Sequence, residues 1–218
     1  MTGSFVQGSG ANQVPLVGFG HEESDGKYAW QFKPRFRRHA FGWKSQPAIA
    51  RVKEAVAEIK KVARKDPALA AEGAVVFIEK VSLAIEQVDG SSGSMGAAVN
   101  NAIAELVPVI AEASADALTR NAWLDRIWSA QQDDDIPYLE SLGDHWGALC
   151  ASKDTASAWA DRLVGTLRMA WSPDPTLRGF FKGTANCLSP SSQRSGTTTC
   201  SCSSNSPRTR CGTTANTA

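Results

Sequence analysis

Between Ser45 and Leu188 the chain repeats one local phrase seven times. A Ser, Asp or Gly-Ser turn able to cap a helix, often with Pro close behind, precedes Ala, Leu, Val and Ile at three- and four-residue spacing. That rhythm fits helices and leaves no stretch with the two-residue alternation of a half-buried sheet. The first helix is predicted from Pro47 to Arg64, with Ile49, Val52, Val56, Ile59 and Val62 as its stripe. Asp66 before Pro67 opens a second, which Asp89-Gly90 closes near Val88. A third follows the turn Ser91–Ser94, and Pro108 inside it predicts a kink near Glu105. Further starts fall at Ser114 or Asp116, at Asp133-Asp134-Asp135 before Pro137, at Asp154 and at Asp174 before Pro175, each predicting a helix of roughly a dozen to eighteen residues. The fold class expected is all-α: an antiparallel, solenoid-like helical hairpin array of about seven helices. No fixed repeat period emerges, and a closed bundle of the same helices is the alternative.

The ends differ from this middle. Residues 1–26 are Gly, Ser and polar residues with scattered apolar ones, and are expected to be a disordered N-terminal segment without the basic and apolar regions of a secretory signal. Residues 27–44 form a basic aromatic arm, and 45–188 the helical array. From Ser189 to Ala218 there is no Val, Ile, Leu, Met or aromatic residue, so this tail is expected to be disordered. Its Ser and Cys codons, shifted by two bases, would place apolar residues at helical spacing. The reading is therefore out-of-frame translation of a gene whose product continues as helix. Cys200, Cys202 and Cys211 lie in this tail without a fourth ligand nearby, and no metal or cofactor is expected.

Charge is unevenly spread. Residues 27–65 hold twelve Lys and Arg against Glu54 and Glu58, a net of plus ten in a chain whose total is plus one. Within the arm, Trp30, Lys33, Arg35, Phe36, Arg37, Arg38, Trp43 and Lys44 are the candidate contact residues. Interleaved cations and aromatics can neutralise phosphates and stack on unpaired bases. The same pattern also suits aromatics docked on the helices with their charges solvated or paired with the acidic remainder of the chain. The function expected is a non-catalytic protein-interaction scaffold whose partner is another protein, using the concave helical face and the arm. Nucleic-acid binding through 27–65 is the alternative. No stretch approaches a membrane span, so no membrane partner is expected. Cys150 and Cys187 suggest no disulfide framework and suit a reducing cytoplasm.

Other residues invite chemistry and have plainer readings. Asp133, Asp134, Asp135 and Glu140 fit favourable acids at a helix N-terminus better than a metal cluster. His145, with Asp144 beside it and Cys150 further along, has no nucleophile motif to serve. Ser91–Gly96 has the composition of a phosphate loop but lacks its Lys and preceding strand. Trp123, Trp128, Trp146, Trp159 and Trp171 are expected to pack between helices. No enzyme is expected.

The stretches Phe41-Gly42-Trp43-Lys44-Ser45-Gln46-Pro47-Ala48-Ile49-Ala50 and Leu177-Arg178-Gly179-Phe180-Phe181-Lys182-Gly183-Thr184 resemble the N-terminal part of a group of uncharacterised bacterial helical proteins similar to tetratricopeptide-type arrays. The resemblance runs from Tyr28 to Leu188. It implies further helices after Leu188, where this chain departs from the group, and no catalytic activity.

Overall fold

The computed structural model describes residues 28–194, and among these all regular structure is helical. Seven α-helices follow in order: α1 Ser45–Ala63, α2 Pro67–Ile85, α3 Ser94–Glu112, α4 Ala117–Gln132, α5 Trp146–Cys150, α6 Lys153–Ala170 and α7 Thr184–Arg194. Short 3-10 turns lie at Lys33–Arg35, Glu140–Leu142 and Pro175–Leu177. Packing runs in succession along an antiparallel helical array. The helices α1, α2 and α3 rest on one another, α2 carries α4, α3 meets α5, and α5 to α7 close the far end.

The capping signals explain where α2, α4 and α6 begin. Asp66 accepts from Leu69 N at 2.9 Å, Asp116 from Thr119 N at 2.7 Å, and Ser152 from Thr155 N at 3.1 Å. Each satisfies a donor that the first helical turn leaves without an intrahelical partner. Asp154, expected to start α6, lies inside its first turn. Helix α2 is apolar around most of its girth, and Ala70, Val75, Phe77, Ile78, Val81 and Ile85 are all fully buried. A helix hydrophobic on all sides must be covered on all sides, which makes α2 the centre of the first half.

By length and composition α3 is apolar enough to cross a membrane, contrary to the expectation that no stretch approaches a span. Its Val99, Ile103, Leu106 and Ile110 are fully buried in the array, so the same composition serves a core helix. It runs without a break through Pro108. Arg120, buried on α4, donates to the carbonyls of Ile110 at 2.5 Å and Ala113 at 2.7 Å and closes the C-terminal end of α3. Burial pushes its guanidinium pKa below the usual arginine value.

Two expected helices are replaced by turns. After Asp133–Asp135, Asp134 does not cap a helix. It is buried, takes a hydrogen bond from Ser82 Oγ on α2 and another from Leu139 N at 2.7 Å, and so ties the loop down. Only the turn 140–142 and the five residues of α5 follow. Likewise Asp174 accepts from Thr176 N and starts the turn at Pro175, and the next helix waits until Thr184. The boundary expected after Leu188 falls inside α7. Ser189 donates to the Asp144 carbonyl at 2.9 Å and accepts from Gly147 N at 3.1 Å, so the ordered array reaches at least Arg194. The N-terminal segment 1–26, the tail beyond Arg194 and its three cysteines lie outside the described residues.

Candidate interaction surfaces

The alternation of Tyr28, Trp30 and Phe32 permits a short extended segment, but no strand forms there. Phe32 has helical backbone angles, and the 3-10 turn at Lys33–Arg35 follows it. Trp30, Phe32, Phe36 and Phe41 all turn inward and are buried. Phe36 meets Phe41 edge-on at 4.8 Å and Phe77 of α2 at 5.6 Å, while the indole of Trp30 packs against the bare backbone of Gly73 on α2. Glu58 of α1 fixes the same segment by accepting from Gln31 N at 2.8 Å and Phe32 N at 3.1 Å.

This geometry corrects the candidate site. Trp30 and Phe36 have no free ring face and cannot stack on a base. Arg35 pairs with Glu54 at 3.5 Å, and Arg38 grips Glu86 through both Nε and Nη2. Lys33, Arg37 and Lys44 are exposed and have no ion pair among the described residues, and Trp43 is 71% exposed beside Lys44. The eight residues therefore separate into buried anchors, paired arginines and a smaller free set. Apart from the exposed Tyr28 and Trp43, the arm follows the reading in which the aromatics dock and the charges are solvated or paired.

A second basic surface lies beside it, in a groove of about 810 Å³ between α1 and α3. Lys53, Ala57, Lys60, Lys61 and Arg64 recur along one face of α1, and Ala98, Asn101, Ala102 and Glu105 along the facing side of α3. Val52, Val56 and Ala102 are buried at its base. Lys60 reaches across to Glu105 at 2.8 Å. Lys53, Lys61 and Arg64 have no such partner among the described residues.

The opposite end of the array is apolar and open. Trp171, Pro173, Leu167 and Leu188 line a groove between the end of α6 and α7, and a larger adjoining cleft reaches Phe180. Phe180 is 87% exposed and Trp171 70% exposed, so Trp171 departs from the expectation that it packs between helices. The other four tryptophans of that expectation, Trp123, Trp128, Trp146 and Trp159, do pack. Trp128, Trp146 and Trp159 form a mutual cluster with ring centroids 5.0 to 6.2 Å apart, and Phe181 joins it at 6.2 Å. Trp123, also buried, donates to Glu72 at 2.8 Å. Phe180 and Phe181 are neighbours outside a helix, where successive side chains point apart. That adjacency was a sequence signal that one ring would be left outside.

The chemical candidates resolve into structure. Cys150 is buried, and desolvation pushes its thiol up to about 12, so it is not a nucleophile at neutral pH. His145 is the residue preceding α5 and serves as its backbone cap. Burial raises the Asp134 carboxyl above the usual aspartate value, opposed by its hydrogen bonds, and Lys182 Nζ donates to the carbonyls of Gln132 and Asp134 at 2.8 and 2.7 Å. Of Ser91–Gly96, only Ser91–Gly93 is a turn, stabilised by Asp89 accepting from Ser91 N and leading through Gly93 at positive φ into α3, which Ser94, Met95 and Gly96 begin. Among the described residues no three His, Cys, Asp or Glu side chains are placed to hold a metal ion. Comparison with known proteins returned no matching family model, curated protein or solved structure.

Proposed function

We propose that the protein is a non-catalytic protein-interaction scaffold, a helical array that presents its far end to a protein partner. One observation carries this reading: the aromatic surface of Trp171 and Phe180, continuous with Leu188 through a shared cleft, lies open at the end of the array. Large apolar side chains gathered at one place mark contact sites, whereas scattered ones need no explanation. Aromatic residues are also the usual energetic centres of protein interfaces. The test uses the intact chain as bait after nuclease treatment, beside the variant Trp171→Ser/Phe180→Ser. A protein partner recovered in stoichiometric amount by the wild type and lost by the variant supports the proposal. Equal recovery by both overturns it.

A second reading has its own support in the exposed Trp43 flanked by Lys44, with Arg37 and Lys33 also unpaired among the described residues. Such a patch suits single-stranded nucleic acid. Anisotropy with a labelled oligothymidylate should then show a salt slope that Arg37→Ala and Lys44→Ala together flatten. Binding indifferent to those changes rejects it.

A further inference from the structure

We infer that the α1–α3 groove is a docking site for an amphipathic helix of a partner protein, one whose apolar stripe is flanked by Glu or Asp. The inference gives the protein-binding reading a partner chemistry, at a surface separate from the aromatic end. Its first support is shape. The lining stripes on α1 and α3 run side by side, and from Lys53 to Arg64 the trough spans three helical turns, about 16 Å. Ala57, Ala98 and Ala104 line it, and small side chains allow another helix to approach near the roughly 8–10 Å of helix packing. Val56 and Ala102 at the base offer an apolar contact only as wide as one helical stripe.

Charge then selects the occupant. Four cations border the groove, and its one carboxylate, Glu105, is taken by Lys60. The Lys60–Glu105 pair is half-exposed on both sides, so it holds the helices together weakly and can exchange for a partner's carboxylate. Lys53, Lys61 and Arg64 are left to meet acids along the edge of a docked helix. A nucleic-acid strand fits less well. No aromatic residue lines the groove for a base to stack upon, and an apolar base beneath the phosphates gives a strand nothing to bind.

The test uses the full chain and a fluorescent, end-capped peptide of about four helical turns with a Leu/Ala stripe flanked by Glu. Two control peptides keep the stripe flanked by Lys or scramble the Glu version, and an oligothymidylate serves as the competing polyanion. The Glu-flanked peptide should bind and both controls should fail. Lys53→Glu/Lys61→Glu/Arg64→Glu should weaken binding by about tenfold or more. Ala57→Trp, which keeps every charge but fills the trough, should abolish it, and Ala104→Phe does the same from α3. These positions are exposed, so each variant should keep the wild-type melting curve. Trp171→Ser/Phe180→Ser should leave peptide binding intact, which separates this site from the aromatic end. The inference is overturned if the scrambled peptide binds equally well. It is also overturned if the oligonucleotide binds more tightly, displaces the peptide and is itself lost with Lys53→Glu/Lys61→Glu/Arg64→Glu, which would assign the groove to nucleic acid.

Discussion

Replacing Gly73 by Ala should destabilise this protein, although the same change in a helix interior ordinarily helps. Alanine in place of glycine in a helix is worth about 0.5–1 kcal/mol. Gly73, however, is where the arm lands. A Cβ placed there would overlap Cζ2 and Cη2 of Trp30 and come within 2.7 Å of its Cε2. The indole is buried and hemmed in by Tyr28 at 4.7 Å and Phe32 at 5.6 Å, so it cannot swing aside without dragging the arm off α2. Overpacking of that kind costs about 1–3 kcal/mol, and after the propensity gain a net loss of roughly 0.5–2 kcal/mol remains. For a chain of this size that lowers the melting temperature by about 1–8 °C. Gly165 of α6 supplies the control, because nothing lies within 4 Å of its Cβ position, and Gly165→Ala should stabilise by about 0.5–1 kcal/mol. Trp30→Ala alone should cost about 3–5 kcal/mol. On that background Gly73→Ala should become favourable, so the same substitution changes sign with its neighbour. Urea and thermal unfolding followed by circular dichroism give all five proteins on one scale, as a double-mutant cycle requires. A stabilising Gly73→Ala in the wild-type background would refute the placement of the arm.

Three further outcomes test other parts of the fold. Ala151 closes α5 with φ of 57°, a conformation that costs an L-residue about 1–2 kcal/mol, so Ala151→Gly should stabilise by a comparable amount in urea unfolding. Asp134 titrates above the usual aspartate value when folded, so the native state holds its proton longer than the unfolded chain. Its contribution to stability is therefore greatest below the ordinary aspartate pKa and declines as pH rises through the window up to the folded value. The stability of the wild type relative to Asp134→Asn should fall across that window, and a flat difference would contradict the assignment. Arg126 grips Glu79 through two nitrogens at 2.7 and 2.8 Å and Glu72 through the third at 2.6 Å. Because all three side chains remain about one-third exposed, Arg126→Ala should cost only about 1 kcal/mol, a loss that shrinks in high salt.

Local chemistry made most of the helices readable in advance. Asp66 with Pro67, and Asp116, cap α2 and α4 with their own side chains, and such signals act within a single turn. The two failures have different causes. At Asp134 the carboxylate is taken by Ser82, which is distant in sequence, and at Asp174 the segment that follows contains Gly179 and Gly183 before α7 begins. A side chain recruited by another helix cannot cap its own, and nothing near Asp134 in the sequence shows that recruitment. The arm teaches the same lesson. Its alternation of aromatic and basic residues was visible, but the burial of Trp30 depends on the absence of a side chain at Gly73, more than forty positions away. Trp171 illustrates the converse, since a tryptophan at the end of an amphipathic helix reads as core until the neighbouring elements are seen to leave it uncovered.

The two proposed surfaces obey different physics, and salt should separate them. The groove draws its selectivity from Lys53, Lys61 and Arg64, exposed charges whose reach shrinks as the Debye length falls from about 10 Å at 0.1 M to about 3 Å at 1 M. Peptide binding there should weaken steadily as sodium chloride is added. The aromatic end depends on Trp171 and Phe180, whose burial against a partner is driven by removing apolar surface from water. Sulfate, being excluded from protein surfaces, strengthens that drive. Self-association of the intact chain should therefore rise with ammonium sulfate and disappear in Trp171→Ser/Phe180→Ser, with the groove's triple charge reversal leaving it unchanged. Light scattering that fell with sulfate, or that followed the groove variant, would mean that charge holds the copies together and that the exposed aromatic rings are not the contact.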